Sequence, residues 1–439
     1  MSATHPVVRY PFAEWIGRHS RLFGSVSYGW LGRPYVYLIG AAANEAVFAN
    51  DQHFSNARAY KGLVPVDGPT SVIVSDGEDH KRRRTLVRPG LHHKQIDGYV
   101  ATMTATADEA LDAITPGVAF DAYELFRAAI RRSTLRSLFG ERMADKADSL
   151  GALLQPLIDL TGLLPDMVSV HKRLRTRRWQ QAEAARQQLD EFVYAEIDRL
   201  RSVPAETESQ VLAVLVRGRD GSGSGLSDLE IRDQVVTLIA AGYETTSAAM
   251  GWALYGLGGR PDLIERARSE VLDVTGGELP TAEQVGRLKL TDAIVSEALR
   301  LYPPASVIPR YVAESFSVRG HKIPRGATLI ISPYLTHRDP QLYEDPLEFR
   351  PERWLSAPHR PGGEYLPFGG GAHRCLGSVM AITELTVMLA RLLARGGFVL
   401  EPRKVRATGL SAMRPRDGVW LRLTVDDNST SSVGARPDR

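Results

Sequence analysis

The stretch from Ser227 to Pro261 limits the fold more than any other part of the chain. Ser227, Asp228, Leu229 and Glu230 make a capping box, in which serine hydroxyl and glutamate carboxylate satisfy each other's backbone N–H groups. Gly258, Gly259 and Pro261 supply a stop. The residues between, about thirty, extend on the order of 45 Å at about 1.5 Å each. A rod of that length must cross the whole core. Its least charged part, Val235 to Leu257, is long enough for a membrane span, but Gln234, Thr237, Glu244, Thr245, Thr246 and Ser247 lie in or beside it. A glutamate at mid-bilayer is costly, so the segment reads as a core helix and not as an anchor.

Such a rod needs a large body around it, and 439 residues, 43% hydrophobic and 24% charged, supply one. The formal charge is 54 − 51 = +3, with the basic residues spread along the chain, which argues against nucleic acid as the main partner. A single cysteine cannot form an internal disulfide, and structural zinc draws on several Cys or His at fixed spacing. A cytoplasmic protein without zinc is expected. The start, MSATHPVVRYPFAEWIGRHS, has no apolar run suited to a signal peptide. Length alone suggests roughly two or three domains, although large single domains reach this size; residues 1–24 read as an N-terminal segment and 426–439 as a tail of disordered composition.

Along the domain, residues 25–39 read as a hairpin turning at Leu31-Gly32-Arg33-Pro34, followed by a helix over Ala41 to Ala49. Asn56 to Asp76 reads as a long loop with little periodicity, of the kind that lines a binding site. In the helical stretch that follows, His80 and Arg84 share a face and could clamp an anionic group, while Lys81, Arg82 and Arg83 read as a solvated surface. Helices are expected at Gln95 to Ile114, Ala122 to Phe139 and Ala147 to Leu160. Lys172 to Arg201 reads as one long amphipathic helix, whose Arg173, Arg175, Arg177 and Arg178 could touch a membrane surface or an acidic partner but read first as a solvated face. Residues 217–225, RGRDGSGSG, read as a flexible linker. A helix over Pro261 to Val274 precedes a second capping box, Thr281 to Gln284, and a helix from Thr291 to Leu301. Short strands follow Pro303-Pro304.

Four pieces carry chemistry. Mid-rod, Ala240-Ala241-Gly242-Tyr243-Glu244-Thr245-Thr246 leaves one face without bulk, against which a flat ligand could lie. Thr245 can bond back to the carbonyl of Ala241 and open the helix, and an acid beside an alcohol there can relay protons. A plain helix contact through small residues is the other reading. Glu297 and Arg300, three apart, can form a buried network with Arg353 of Pro351-Glu352-Arg353-Trp354. Finally Tyr365 to Gly377, YLPFGGGAHRCLG, sets the sole cysteine on a glycine-rich loop before a helix, where backbone N–H groups and the helix dipole favour a thiolate.

An AGxET helix, then ExxR, then PERW, then FGGGxHxCxG, in that order, resembles the cytochrome P-450 superfamily of haem-thiolate monooxygenases. The resemblance covers residues 25–425, and Phe368 to Gly377 matches the family's F-x-x-G-x-[His/Arg]-x-C-x-G pattern at every defined position. It implies a mainly α fold with small β-sheets, a single helix-rich domain enclosing haem b. By that resemblance Cys375 is the axial thiolate, Phe368 packs beside it, Gly377 and the loop glycines let the backbone approach the porphyrin, and Ala241 and Gly242 flank its other side. His373, His80, Arg84 and Arg310 meet the haem propionates. Glu244 and Thr245 resemble the acid–alcohol pair that delivers protons during dioxygen activation, although many members carry Asp where this chain has Glu. Glu297, Arg300 and Arg353 look like the structural triad.

The resemblance also implies a monomer that oxidises a lipophilic small molecule, with electrons from a separate ferredoxin and ferredoxin reductase. The ferredoxin would dock near Arg374 and the Lys81 to Arg83 cluster. The substrate pocket would draw on Asn56 to Asp76, Leu160 to Leu164, the Ala241-Gly242 groove, Ala305 to Ile308 and Leu410 to Met413. Two rivals stay open: a peroxide-using or rearranging haem-thiolate enzyme, and a haem-binding sensor without turnover.

Overall fold

The computed structural model describes residues 7–424 apart from 12, 16–25, 31–33, 164, 205–210, 319, 357–359 and 410–411. Most of the N-terminal segment, the hairpin turn and the tail thus lie outside the described residues, as do parts of two expected pocket segments. The principal helices are α1 (Gly77–Val87), α2 (His93–Leu111), α3 (Ala122–Phe139), α4 (Ala147–Thr161), α5 (Arg177–Ser202), α6 (Asp228–Leu257), α7 (Pro261–Thr275), α8 (Lys289–Leu301) and α9 (Ser378–Arg395).

Helix α6 is the rod the sequence demands. Its capping box is complete: Glu230 N–H donates to Ser227 Oγ at 3.2 Å, and Ser227 N–H to Glu230 Oε2 at 3.0 Å. Val235, Val236, Ile239, Tyr243, Trp252 and Leu254 are fully buried, and each such aliphatic contributes about 1.5–3 kcal/mol. The rod packs chiefly on α3, and also on α5, α8 and α9, while α2 bridges α3 and α9. Near its C-terminal end the Trp252 ring stacks on Tyr302 at 4.8 Å and its Nε1–H donates to Met413 O at 2.9 Å.

A five-stranded sheet stands beside the helical body, in the order Val26–Trp30, Pro34–Leu38, Thr328–Ile331, Ile308–Val312, Phe54–Ser55. The second and third strands run parallel and the other pairs antiparallel. Val36, Leu38, Val312, Leu329, Ile331 and Leu366 close a smaller apolar core, which ties the sheet to the approach of the cysteine loop. A three-stranded sheet joins Ala119–Asp121, Trp420–Leu423 and Phe398–Leu400.

Three expectations need correction. Asn56 to Asp76 is not a plain loop but a run of single-turn helices, begun where Ser55 Oγ accepts from Arg58 N–H and held by Asp76, whose Oδ1 accepts from Asn56 N–H at 2.7 Å. The long helix over Lys172 to Arg201 is two: Pro165–Arg173 and α5. Between them Arg175 takes a left-handed conformation, φ 44°, and Thr176 caps α5 by accepting from Trp179 N–H. Residues 217–225 are tied down, since Asp220 accepts from Ser222 and Ser224 N–H groups and Arg82 Nε bonds Asp220 at 2.9 Å.

Candidate active site

The cysteine loop is shaped by close packing. Gly369 and Gly371 hold φ of 67° and 69°, a region that disfavours side chains. A Cβ at Gly370 would lie 2.5 Å from the Phe48 ring, and one at Gly371 2.9 Å from Phe48 O. These two glycines therefore make room for the helix Ala41–Ala49. Cys375 N–H donates to Phe368 O at 3.0 Å, closing the loop. A Cβ at Gly377 would meet nothing within 4 Å, and the Gly377 N–H bonds the Cys375 sulfur. Burial pushes the thiol up, opposed by that N–H, Arg84 and Arg374. Yet Cys375 keeps exposed surface. A side chain at such depth with open surface borders an internal space and not packed core.

Basic groups gather at one side of this loop. His80, buried on α1, stacks on His373 with ring centroids 3.8 Å apart and planes at 25°. Burial and then Arg84 push His80 down to about 4, while burial and then His80 push His373 down to about 3, so neither ring carries charge at neutral pH. Arg84 Nη2 donates to Arg374 O at 2.7 Å. Arg310, on its strand, is buried, and its Nε has no hydrogen-bond partner among the described residues. Asp51 links this group, lying 3.6 Å from His373 Nε2 and 3.9 Å from Arg310 Nε. The sequence offers no signal for Asp51, which belongs to no motif.

On α6, Thr245 Oγ1 donates to Ala241 O at 2.9 Å as expected, but the helix continues unbroken through it. Ala241 is exposed although Ile239 and Tyr243 beside it are buried, so α6 too borders an internal space there. Gly242 does not share that opening: a Cβ on it would come 3.2 Å from Thr134 of α3. The groove expected from the two residues together is thus open at Ala241 alone. Glu244 is buried between two guanidiniums, with Oε2 3.1 Å from Arg127 Nη2 and Oε1 3.0 Å from Arg414 Nη1. Burial alone would lower the Arg127 guanidinium, but Glu244 and two tyrosines raise it. Arg127 also donates to Gln155 of α4 at 2.7 Å.

Behind the loop, Glu297 gathers five donors. Arg300 reaches both its oxygens at 2.8 Å, Arg353 Nε one at 3.2 Å, Trp354 Nε1 one at 2.9 Å, and Arg350 N–H one at 2.8 Å. Arg300 also donates to the carbonyls of His337, Pro346 and Glu348. The expected triad is present, enlarged by an indole and four backbone groups. The basic surface of α1 differs from expectation: Arg82 and Arg83 each pair with Glu230 Oε1 at 3.0 Å, and of the three only Lys81, whose Nζ lies 3.7 Å from Glu78 Oε1, stays on the open surface.

The donor set fits a haem. It offers one thiolate ligand with an N–H aimed at sulfur, open surface at Cys375 and Ala241, and cations with a spare buried N–H at the side where carboxylates would sit. The Cytochrome P450 family model matches residues 18–412. The chain belongs to the cytochrome P450 family. A Mycobacterium tuberculosis protein named only as a member of that family is 44% identical over 431 residues, covering 95% of this chain and 98% of its own length. Cyclooctatin synthase of Streptomyces melanosporofaciens is 35% identical over 77% of this chain and 76% of its own. Pentalenene oxygenase of Streptomyces avermitilis is 30% identical over 86% and 85%. The solved structure of a retinoic acid-bound cyanobacterial member superposes with a TM-score of 0.85 at 26% identity, over 92% of this chain and 93% of that one. The chain is therefore a haem-thiolate monooxygenase, an oxidoreductase of mainly α fold with small sheets, which requires dioxygen and redox partners. Among the described residues no helix is long and apolar enough to cross a membrane.

Proposed function

We propose that this monooxygenase hydroxylates or epoxidises a terpenoid-like lipophile in the cytoplasm, as a monomeric haem domain spanning residues 25–425. Electrons would come from a separate ferredoxin and its reductase. The observation that carries the haem site is Cys375: a thiol deep in the fold, with open surface and an N–H bond from Gly377. The substrate class rests on the relatives named for cyclooctatin and pentalenene, and on the small or apolar character of Ala241 and Ala305 to Ile308.

Haem b, when bound, supplies a redox-active iron for dioxygen activation. Cys375 would ligate it, with Phe368 limiting water on that side and Gly377 moderating the charge on sulfur. His80, Arg84, Arg310 and His373 would hold its carboxylates. Ala241 and Thr245 would line its site from α6, Thr245 supplying a hydroxyl. Glu244, held between Arg127 and Arg414, would receive and pass protons toward Thr245.

The test is the reduced carbon monoxide spectrum, followed by turnover with ferredoxin, reductase and reduced nicotinamide. A thiolate-type Soret band lost in Cys375→Ser, with a terpenoid oxidised under dioxygen, supports the reading. A histidine-type band in fresh protein would sink the ligand assignment. Product from peroxide alone, or spectral binding without product, would replace the electron-transfer scheme.

A further inference from the structure

Arg414, one of the two cations on Glu244, opens the second strand of a small hairpin, in which Ala407–Thr408 pairs with Arg414–Pro415. With two residues to a strand, such a hairpin does not hold itself, so its place is set by what touches it. On one side Pro415 packs at Gly251 of α6, where a Cβ would come 3.1 Å from the proline ring. Beside it Met413 N–H donates to Pro304 O at 2.8 Å, and Trp252 Nε1–H donates to Met413 O at 2.9 Å. At the other end of the turn stands Gly409, with φ 95°. A Cβ there would overlap Ala412 O and lie 3.7 Å from Arg414 Nη1, so Gly409 rests against the guanidinium that meets Glu244.

The Gly409 carbonyl accepts the Tyr10 hydroxyl at 3.1 Å, across 399 residues of chain. Tyr10 is itself anchored: its N–H donates to Tyr334 Oη at 3.0 Å, and the two rings meet edge-on with centroids 6.2 Å apart. Tyr334 in turn donates to Glu14 Oε1 at 3.0 Å. Tyr10 is 8% exposed, and burial pushes its phenol up, so it keeps the proton it donates. Val8 N–H donates to Tyr302 Oη at 3.4 Å, which joins residues 7–10 to the ring that stacks on Trp252. Tyr10 and Arg414 both fall outside residues 18–412, the span the family model matches, so their link is no part of the pattern that identifies the family.

The two cations on Glu244 are not carried alike. Arg127 sits on α3, an eighteen-residue helix packed along α6, whereas Arg414 sits at the edge of a turn held by a few hydrogen bonds. The direction of the carboxylate is therefore decided on the Arg414 side. We infer that Tyr10 is a positioning residue for proton delivery, its hydroxyl holding the Gly409 turn where Arg414 meets Glu244. This rests on the reading of Glu244 as the acid beside Thr245. A segment that the sequence sets apart from the haem domain thereby acts on the reaction without touching haem, dioxygen or substrate.

The experiment uses the haem-loaded full chain with ferredoxin, reductase and reduced nicotinamide under dioxygen, with no substrate added, and measures the fraction of reducing equivalents recovered as hydrogen peroxide. Amide exchange at Met413 is followed in parallel. Tyr10→Phe keeps the ring and removes one hydrogen bond, so exchange at Met413 should accelerate roughly fivefold. The peroxide fraction should rise roughly twofold in Tyr10→Phe, and the same change made in Arg414→Ala should add nothing, because the hydroxyl acts through the arginine. Faster exchange at Met413 with an unchanged peroxide fraction overturns the inference, since Tyr10 would then only stiffen the turn. Equal increments in the parent and in Arg414→Ala overturn it as well, by showing another route. Glu244→Gln tests the underlying reading: if it leaves the peroxide fraction unchanged, the acid assignment falls and the inference with it, whereas a rise in Glu244→Gln with none in Tyr10→Phe sinks the inference alone.

Discussion

Arg414 Nη1 meets Glu244 Oε1 at 3.0 Å across 170 residues of chain. With Arg127 on the other oxygen, the carboxylate is placed by three separate elements. Removing one cation from a buried carboxylate leaves charge uncompensated, so Arg127→Ala should cost on the order of 3 kcal/mol in denaturant unfolding. A loss below about 1 kcal/mol would mean that water or Arg414 alone satisfies Glu244.

Thr245→Ala removes a hydroxyl that, among the described residues, bonds only the carbonyl one turn back, so the fold and haem content should be unchanged. The expected effect is a larger fraction of reducing equivalents recovered as hydrogen peroxide. Unchanged coupling would reject a role for Thr245 in proton delivery.

Ferredoxin docking should separate two kinds of arginine. Lys81 and Arg374 are exposed, whereas Arg82 is committed to Asp220 and Glu230. Lys81→Glu with Arg374→Glu should slow reduction at low ionic strength and leave the thermal midpoint unchanged. Arg82→Glu should instead lower the midpoint. Identical reduction rates in the double variant and the parent across ionic strengths would remove this surface from the docking site.

Glu384, wholly buried on α9, predicts a pH dependence. Burial, only partly opposed by Ser133, pushes its carboxyl from 4.5 up to about 8. The folded protein therefore keeps this proton up to about pH 8 while the unfolded chain releases it near 4.5, so the group's contribution to stability falls as pH rises between those values. Glu384→Gln should flatten that slope. Its stability relative to the parent should improve by on the order of 2–3 kcal/mol between about pH 6 and about pH 8. A difference independent of pH would show that Glu384 is ionised in the fold.

Much of this architecture was legible because its causes are local. Both capping boxes, the bounds of α3 and the stop after α6 depend on neighbours three or four residues away, and each stands where the sequence puts it. The Glu297 network was legible as a motif, though its indole and carbonyl partners were not. What escaped reading was partner choice across the fold. Nothing in the α1 sequence says that Arg83 turns inward to Ser75 and Glu230, or that Asp51 reaches His373. Arg175 broke a helix that periodicity alone would continue, because an arginine in the left-handed region leaves no compositional trace. Gly242 was read as a ligand groove when its missing side chain makes room for Thr134.

His337 bonds the C-terminal carbonyl of α8 through Nδ1, at 3.0 Å from Arg300 O, and accepts Leu366 N–H on Nε2 at 2.9 Å. Burial pushes the ring down to about 3, so it stays neutral and keeps the single tautomer those partners require. Leu366 stands two residues before Phe368, whose carbonyl holds the Cys375 amide. The thiol's address is therefore written on the far side of the core. Amide exchange at Leu366 and Cys375 should be slow together and accelerate together, as the ligand loop and α8 open as one unit.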